Sequence, residues 1–290
     1  MATMRVVDVA ELVRLPAALT VPGDAWTGAA HAEANRRAWA MPAASVLLYW
    51  SGMALNDWAD RDVDARERPE RPIPSGRVPA DTALLLAVGL GAAGLTVSAL
   101  VGGPRALRVS VPLAALVGVY DVVAKDSALG PVVMSGTRGL DILLGAYGDP
   151  RAALAPAAAS TLHTVALTAL SRGEVHGSSR ATARLAATTT AAVAGLGVLA
   201  ALGDRDVPRR HRATSALLSA GYAAVVGRAQ LVAAASPDAE TVRRATGAGI
   251  AGFPLLQASW LVRRGRWQAA AVVLAARPAL KMASRRMSTT

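Results

Sequence analysis

Residues 56–64 read Asn-Asp-Trp-Ala-Asp-Arg-Asp-Val-Asp and follow an uncharged run from Ala38 to Leu55. On a helix advancing ~100° per residue, Asp57, Asp60 and Asp64 fall within roughly 60° of one another, and Asp62 points to the opposite side. Three carboxylates on one stripe, backed by the Asn56 amide, are hard oxygen ligands suited to Mg²⁺ carrying a polyphosphate. At the mouth of an apolar helix they are costly unless something cationic collects there. A solvated acidic turn between two helices is the competing reading. A diphosphate also needs fixed cationic donors for the rest of its charge. Lys125, Arg66, Arg68 and Arg71 could supply them, lysine as a point charge and arginine as a fork. The alternative for the three arginines is snorkelling to lipid headgroups. If such a diphosphate leaves carbon, an allylic cation remains, and an apolar cavity between helices would shield it from water.

The elements that must position these groups are written in the charge-free runs. Residues 82–103, 152–171, 185–203 and 245–262 carry no Asp, Glu, Lys or Arg. Each is close to the ~20 residues that a hydrocarbon core of ~30 Å requires. The chain is 53% hydrophobic and 18% charged, with a mean hydropathy of +0.35. Strands are not expected, because the runs are rich in Ala, Leu and Gly and lack a two-residue alternation. The expected fold is an all-α polytopic membrane protein, one membrane-embedded domain over 1–290. About nine helices are expected, centred on 11–31, 38–55, 82–103, 106–122, 129–147, 152–171, 184–203, 212–235 and 245–262. Pro16 and Pro22 break the first, and Trp267–Ala276 is a short tenth candidate. Abundant small residues suit close helix packing in lipid.

The chain has no cysteine, which excludes disulfides, thiolate metal sites and thiol nucleophiles. The net charge of +11 comes almost wholly from arginine, with Lys125 and Lys281 as the two lysines. In a membrane protein this balance fits basic loops beside anionic lipid. No nucleic-acid partner is expected, and Met1–Leu15 has no uninterrupted apolar core of a cleavable signal.

Consecutive spans joined by short loops run antiparallel, so the connections after the second, fourth and sixth helices share one membrane face. Those connections hold the most unusual polar sequences: Arg-Pro-Glu-Arg-Pro-Ile-Pro-Ser-Gly-Arg at 68–77, Tyr120 to Asp126, and Ser-Arg-Gly-Glu-Val-His-Gly at 171–177. One site assembled at a single surface, taken as cytoplasmic, is the expectation, although Arg205, Arg209, Arg210 and Arg212 at the other end blur the positive-inside signal. In the fifth helix Arg138 and Asp141 share a face; intramembrane ionisable residues default to function, and a salt bridge steadying the bundle is the alternative. His163 reads as a packing residue. The tryptophans lie mostly near helix ends as interfacial anchors, with Trp58 also placed to line the cavity mouth.

Taken together, Asn-Asp-x-x-Asp-x-x-x-Asp at 56–64 and Arg-Pro-Ile-Pro-Ser-Gly at 71–76 resemble the first aspartate-rich motif of the UbiA family of intramembrane prenyltransferases. Tyr120-x-x-x-x-Lys125 is similar to that family's tyrosine–lysine signature, and Arg-Gly-Leu-Asp-x-Leu-Leu-Gly at 138–145 to its fifth helix. The resemblance implies a ring of nine helices around a central cavity. It also implies transfer of an isoprenyl group from a polyprenyl diphosphate to an acceptor, usually aromatic or otherwise small and lipophilic, with Mg²⁺ as cofactor. Asn56, Asp57, Asp60 and Asp64 would then hold the metal and diphosphate, Lys125 would contact phosphate, and Tyr120, Arg66, Arg71, Arg138 and Asp141 would contact substrate. The family's second aspartate motif follows the sixth helix. Here Glu174 is the only acid in that stretch, offered as a further metal ligand, with Arg172 and His176 as direct phosphate contacts. This form resembles a divergent branch encoded in bacterial Ebo-type gene clusters. The runner-up reading is a non-catalytic membrane protein that binds or moves a prenylated metabolite. A CDP-alcohol phosphotransferase would need an Asp-Gly-x-x-Ala-Arg signature that the chain lacks.

Overall fold

A computed structural model describes residues 5–278, and every regular element in it is a helix. In chain order they are α1 (Val6–Leu12), α2 (Val21–His31), α3 (Met41–Ala59), α4 (Arg61–Glu67), α5 (Ala80–Val119) and α6 (Gly130–Gly145). They continue with α7 (Leu154–Ser171), α8 (Arg180–Gly203), α9 (Arg209–Tyr222), α10 (Arg228–Ala235), α11 (Ala239–Arg263) and α12 (Trp267–Ala275). The expected elements all appear as helix, and the local departures from them include three that shape the bundle. The first divides into α1, a 3₁₀ segment Leu15–Thr20 and α2. A π-turn, Ala223–Gly227, joins α9 to α10. The third is at Gly103.

That glycine lies inside α5 with φ +59°, ψ −148°, a conformation closed to L side chains, and Pro104 follows it. The two arms of α5 then run back along α3 side by side. Ser51 donates to the Ala87 carbonyl at 2.7 Å, while a Cβ on the adjacent Gly52 would sit 2.7 Å from Val117. The expected pair of antiparallel helices is therefore present, joined by one glycine rather than a loop.

Among the described residues, five helical stretches are long and apolar enough to cross a membrane: Arg36–Ala59, Ala80–Ala124, Pro150–Ser171, Arg180–Gly203 and Arg209–Ala235. The outer surface is apolar where a water-soluble fold would be polar. Leu85, Leu100, Leu199 and Leu217 are more than two-thirds exposed, whereas Asp24, Ser110, Asp141, His163 and Gln257 are buried. Lipid accepts the leucines, and within the bundle Asp24, Asp141, His163 and Gln257 each find at least one polar partner. Small residues let the helices close: a Cβ on Gly28 of α2 would lie 1.8 Å from the Ile142 carbonyl oxygen of α6, and one on Gly145 1.9 Å from that of Ala25.

Candidate active site

α3 ends at Ala59 and α4 begins at Arg61, yet the joint barely turns the chain. Asp60 keeps near-helical dihedrals, and its carbonyl accepts from the amides of Val63 and Asp64. The sequence stripe survives the joint. Asp57 and Asp64 are 5% and 3% exposed, whereas the Asp62 side chain is 84% exposed. A single guanidinium spans the two buried carboxylates, with Arg71 Nη1 2.7 Å from Asp64 Oδ2 and 3.4 Å from Asp57 Oδ1. Arg68 approaches Asp64 at 3.9 Å.

The segment 71–78 explains how Arg71 is held. Its carbonyl accepts from the Ser75 amide at 3.0 Å and hydroxyl at 2.6 Å, and the Val78 amide closes the loop onto Pro72. Gly76, at φ +74°, makes the turn that L residues resist. Arg77 then ties this loop to the N-terminal helix, reaching Asp8 at 2.9 Å, Glu11 at 2.6 Å and the Glu70 carbonyl at 2.7 Å. Arg5 and Arg77 together hold the Asp8 carboxyl down to about 2.

Lys125 arrives by a different device. After α5 the chain forms a π-turn over Tyr120–Ala124, with the Lys125 amide bonded to the Tyr120 carbonyl. The wider turn aims Lys125 Nζ at Asp60 Oδ1 and packs Asp121, 2% exposed, beside Asn56. Asn56 Nδ2 donates to Asp121 Oδ1 at 3.4 Å, and Gly52 leaves the space that Asp121 Oδ2 approaches.

Asp121 and Arg14 are the site residues that sequence reasoning missed. Arg14 donates to Asp57 Oδ1 at 3.0 Å and to Asn56 Oδ1 at 3.4 Å from a left-handed backbone conformation, φ +48°. That conformation costs a non-glycine residue of order 1 kcal/mol, and such strain gathers at functional sites. A signal for Asp121 existed, since it adjoins Tyr120 in the same segment as Lys125. Arg14 stands in the proline-broken first segment, and no spacing marks it.

The remaining candidates are placed less centrally. Arg66 is exposed and makes no ion pair among the described residues. Tyr120 is half-buried at the start of the π-turn. The 171–177 segment does not join the carboxylate group. Arg172 is spent on the backbone carbonyls of Lys125, at 3.1 Å, and Ser127. Glu174 is turned toward α11, where burial raises its carboxyl above the usual range while Thr246 and Arg243 oppose the rise. His176 is exposed. Among the described residues no three His, Asp or Glu side chains converge at metal-holding spacing, because Arg71, Arg14 and Lys125 sit between the carboxylates. Trp58 is covered by Arg61, 4.9 Å from its ring, and does not line the cavity.

Beneath this cluster a small cavity of about 50 Å³ runs between α2, α3, α5 and α6. Its walls are Val21, Leu48, Leu113 and Val117 on the apolar side and Ser45, Tyr49, Thr137, Arg138 and Asp141 on the polar side. The salt bridge within one helix, one of the two readings of Arg138 and Asp141, is not formed. Arg138 Nε meets Asp24 Oδ2 of α2 at 3.1 Å, and Asp141 Oδ1 accepts from Ser45 of α3. Gln257 fixes Asp24 Oδ1 at 2.8 Å, and Phe253, the chain's single phenylalanine, stacks Arg138 at 4.6 Å and His163 at 4.8 Å. His163 is a buried packing residue bonded to Tyr222 at 2.7 Å.

Comparison with known proteins agrees with this architecture. The model of the UbiA prenyltransferase family matches residues 16–284. A digeranylgeranylglyceryl phosphate synthase of Methanopyrus kandleri is 34% identical over 113 residues, 39% of this chain and 41% of that protein. The chain thus aligns with less than half of the length of that curated relative. A UbiA homolog from Aeropyrum pernix superimposes with a TM-score of 0.66 at 19% identity, covering 84% of this chain and 97% of that one. A UbiA homolog from Archaeoglobus fulgidus bound to GPP and Mg²⁺ superimposes with a TM-score of 0.63 at 14% identity, covering 92% and 99%. The matched span takes in the 56–64 carboxylates, the Arg71 loop, Lys125 and the polar floor of the cavity, and it places the chain in the UbiA prenyltransferase family.

Proposed function

We propose that the chain transfers a prenyl group from a prenyl diphosphate to a small acceptor within the membrane, with Mg²⁺ as cofactor. The observation that carries this reading is the pair Asp57 and Asp64, both buried and bridged by Arg71, at the head of a cavity between helices. The donor chemistry suits the ion: Asn56, Asp57, Asp60 and Asp64 are hard oxygen ligands on contiguous turns. When bound, Mg²⁺ would neutralise the diphosphate oxygens as the carbon–oxygen bond breaks.

The chain's own residues account for the rest. Arg14, Arg71 and Lys125 are cations already paired with the carboxylates, so a diphosphate entering here meets side chains that can exchange a carboxylate for a phosphate oxygen. The apolar wall of Val21, Leu48, Leu113 and Val117 excludes water from an allylic cation left behind. The site end faces the cytoplasm of the cell membrane in this reading. Because the chain contains no cysteine, Ser75→Cys labelled by an impermeant maleimide only after cell lysis supports that orientation, and labelling in intact cells reverses it.

The test is release of diphosphate by purified protein given a prenyl diphosphate, an acceptor and Mg²⁺. Asp57→Asn should lower the rate by at least about a hundredfold, and an unchanged rate removes Asp57 from the reaction. The position of Glu174, turned to α11, favours a second reading in which the chain binds a prenylated metabolite without turnover. Binding of the diphosphate with no release under any acceptor supports that one.

A further inference from the structure

The two ends of the bundle differ in charge. The turns α2–α3, α6–α7, α8–α9 and α11–α12 and the α5 elbow share the end remote from the carboxylate cluster. Arg263 pairs there with Asp204 at 3.0 Å, Trp267 Nε1 donates to His211 at 3.1 Å, and Arg266 covers the Trp39 ring at 5.0 Å. Tyr147 donates to the Val101 carbonyl at 3.4 Å, which joins the α6–α7 turn to the elbow. Residues 33–37, 105–108, 149–151, 204–212 and 263–266 of this end hold twelve arginines and four acids. At the site end, residues 5–14, 57–81, 121–126, 172–184 and 238–244 hold thirteen Arg and Lys and fourteen acids. With cations so nearly equal in number, the positive-inside count does not choose between the ends. The carboxylates make the difference. Most cations of the site end are paired. At the remote end only Arg263 makes an ion pair among the described residues.

α9 sharpens the imbalance. Its first turn holds Arg209, Arg210 and Arg212, contains no acid, and has no side-chain cap at Pro208. Cations in that position oppose the positive end of the helix dipole, and an anion beside them removes the cost. Their depth says which anion. Leu199 and Leu202 of α8 and Leu217 of α9 are more than half exposed. Leu217 lies eight residues beyond Arg209, ~12 Å deeper at 1.5 Å per residue. Unpaired arginine, the exposed Trp267 and outward leucine thus follow one another as headgroup, interface and acyl layers do. We propose that this end is a docking face for anionic phospholipid headgroups, whose phosphate is received by the unpaired arginines of α9 and of the α2–α3 and α11–α12 turns. Such docking is independent of any reaction at the other end.

The experiment is thermal unfolding of the full chain in neutral detergent, titrated with dihexanoylphosphatidylglycerol or dihexanoylphosphatidylcholine. These lipids share their acyl chains and differ in headgroup charge. The anionic lipid should stabilise wild type at a concentration at least about tenfold lower than the zwitterionic one. Arg209→Gln/Arg210→Gln should weaken the response to the anionic lipid by about tenfold, while melting no lower than wild type without lipid, since it relieves the helix dipole. Arg180→Gln/Arg184→Gln removes two exposed arginines from the first turn of α8 at the site end; it should change that response less than about twofold. Arg36→Gln/Arg37→Gln, on the turn before α3, repeats the test on a second element, so that misfolding of one variant still leaves the face judged. An equal response to the two lipids, equal losses from variants at the two ends, or the same stabilisation by millimolar inorganic phosphate overturns the proposal.

Discussion

Removing the Arg71 guanidinium is the most revealing perturbation, because that group occupies the space between the two carboxylates that a metal would share. Deleting one partner of a buried ion pair costs about 3–5 kcal/mol. Here the loss is smaller. Asp57 keeps Arg14 at 3.0 Å, Asp64 keeps Arg68 at 3.9 Å, and the Arg71 side chain is itself 21% exposed. An expectation of about 2 kcal/mol for Arg71→Ala follows, which lowers the melting temperature by roughly 3 °C for a chain of this size. The informative quantity is the response to Mg²⁺ alone. In wild type the ion must displace Arg71, whereas in the variant Asp57 and Asp64 lack that bridge. Stabilisation by a bound ion scales as RT ln(1 + [L]/Kd), so a tenfold tighter site adds about 1.4 kcal/mol at saturating ion. The assay is thermal unfolding of both proteins in detergent across a Mg²⁺ titration, with Ca²⁺ as a control for size. A Mg²⁺-induced rise that is no larger in Arg71→Ala than in wild type refutes the idea that ion and guanidinium compete for the same oxygens.

Three further outcomes are expected. Lys125→Ala frees Asp60 and removes a cation aimed at the site, so KM for the prenyl diphosphate should rise about tenfold, ~1.4 kcal/mol, with the melting temperature little changed; equal loss in both makes the lysine structural. Glu174, whose carboxyl is raised by burial, stabilises the fold only where it is protonated, and that contribution is lost as pH rises through its folded value. Glu174→Gln should therefore melt higher than wild type at pH 7 and converge with it in acid, and a variant that melts lower at pH 7 contradicts the assignment. Gly28→Ala drives a Cβ to 1.8 Å from the Ile142 carbonyl oxygen, so α2 and α6 must separate. A loss of about 3 kcal/mol or failure to accumulate in the membrane is expected, and wild-type stability means the helices do not cross so closely.

The helices were legible because each is a run of apolar residues bounded by Pro, Gly or charge, a local property that lipid enforces on every span. Even the α5 reversal was visible as the Gly102-Gly103-Pro104 punctuation, although a hinge of one residue replaced a loop. The stripe of Asp57, Asp60 and Asp64 was equally legible, since helical periodicity carried it through the joint at Asp60. Partnerships were not. Arg138 and Asp141, three residues apart, invited a pairing within one helix, yet each reaches a different neighbour, Asp24 or Ser45, that lies about a hundred residues away in sequence. Arg14 and Phe253 carried no spacing signal at all. Their roles depend on which helices touch, and small residues such as Gly28 and Gly145 decide that through the backbone rather than through a pattern. Glu174 shows the same limit from the other side. Its position after the sixth helix promised a second acidic arm, but its neighbours Thr246 and Arg243 belong to α11. With that arm turned away, Arg14, Arg68, Arg71 and Lys125 flank the first motif, and in the proposed reaction fixed positive side chains would meet the diphosphate where a second carboxylate pair would have recruited another metal.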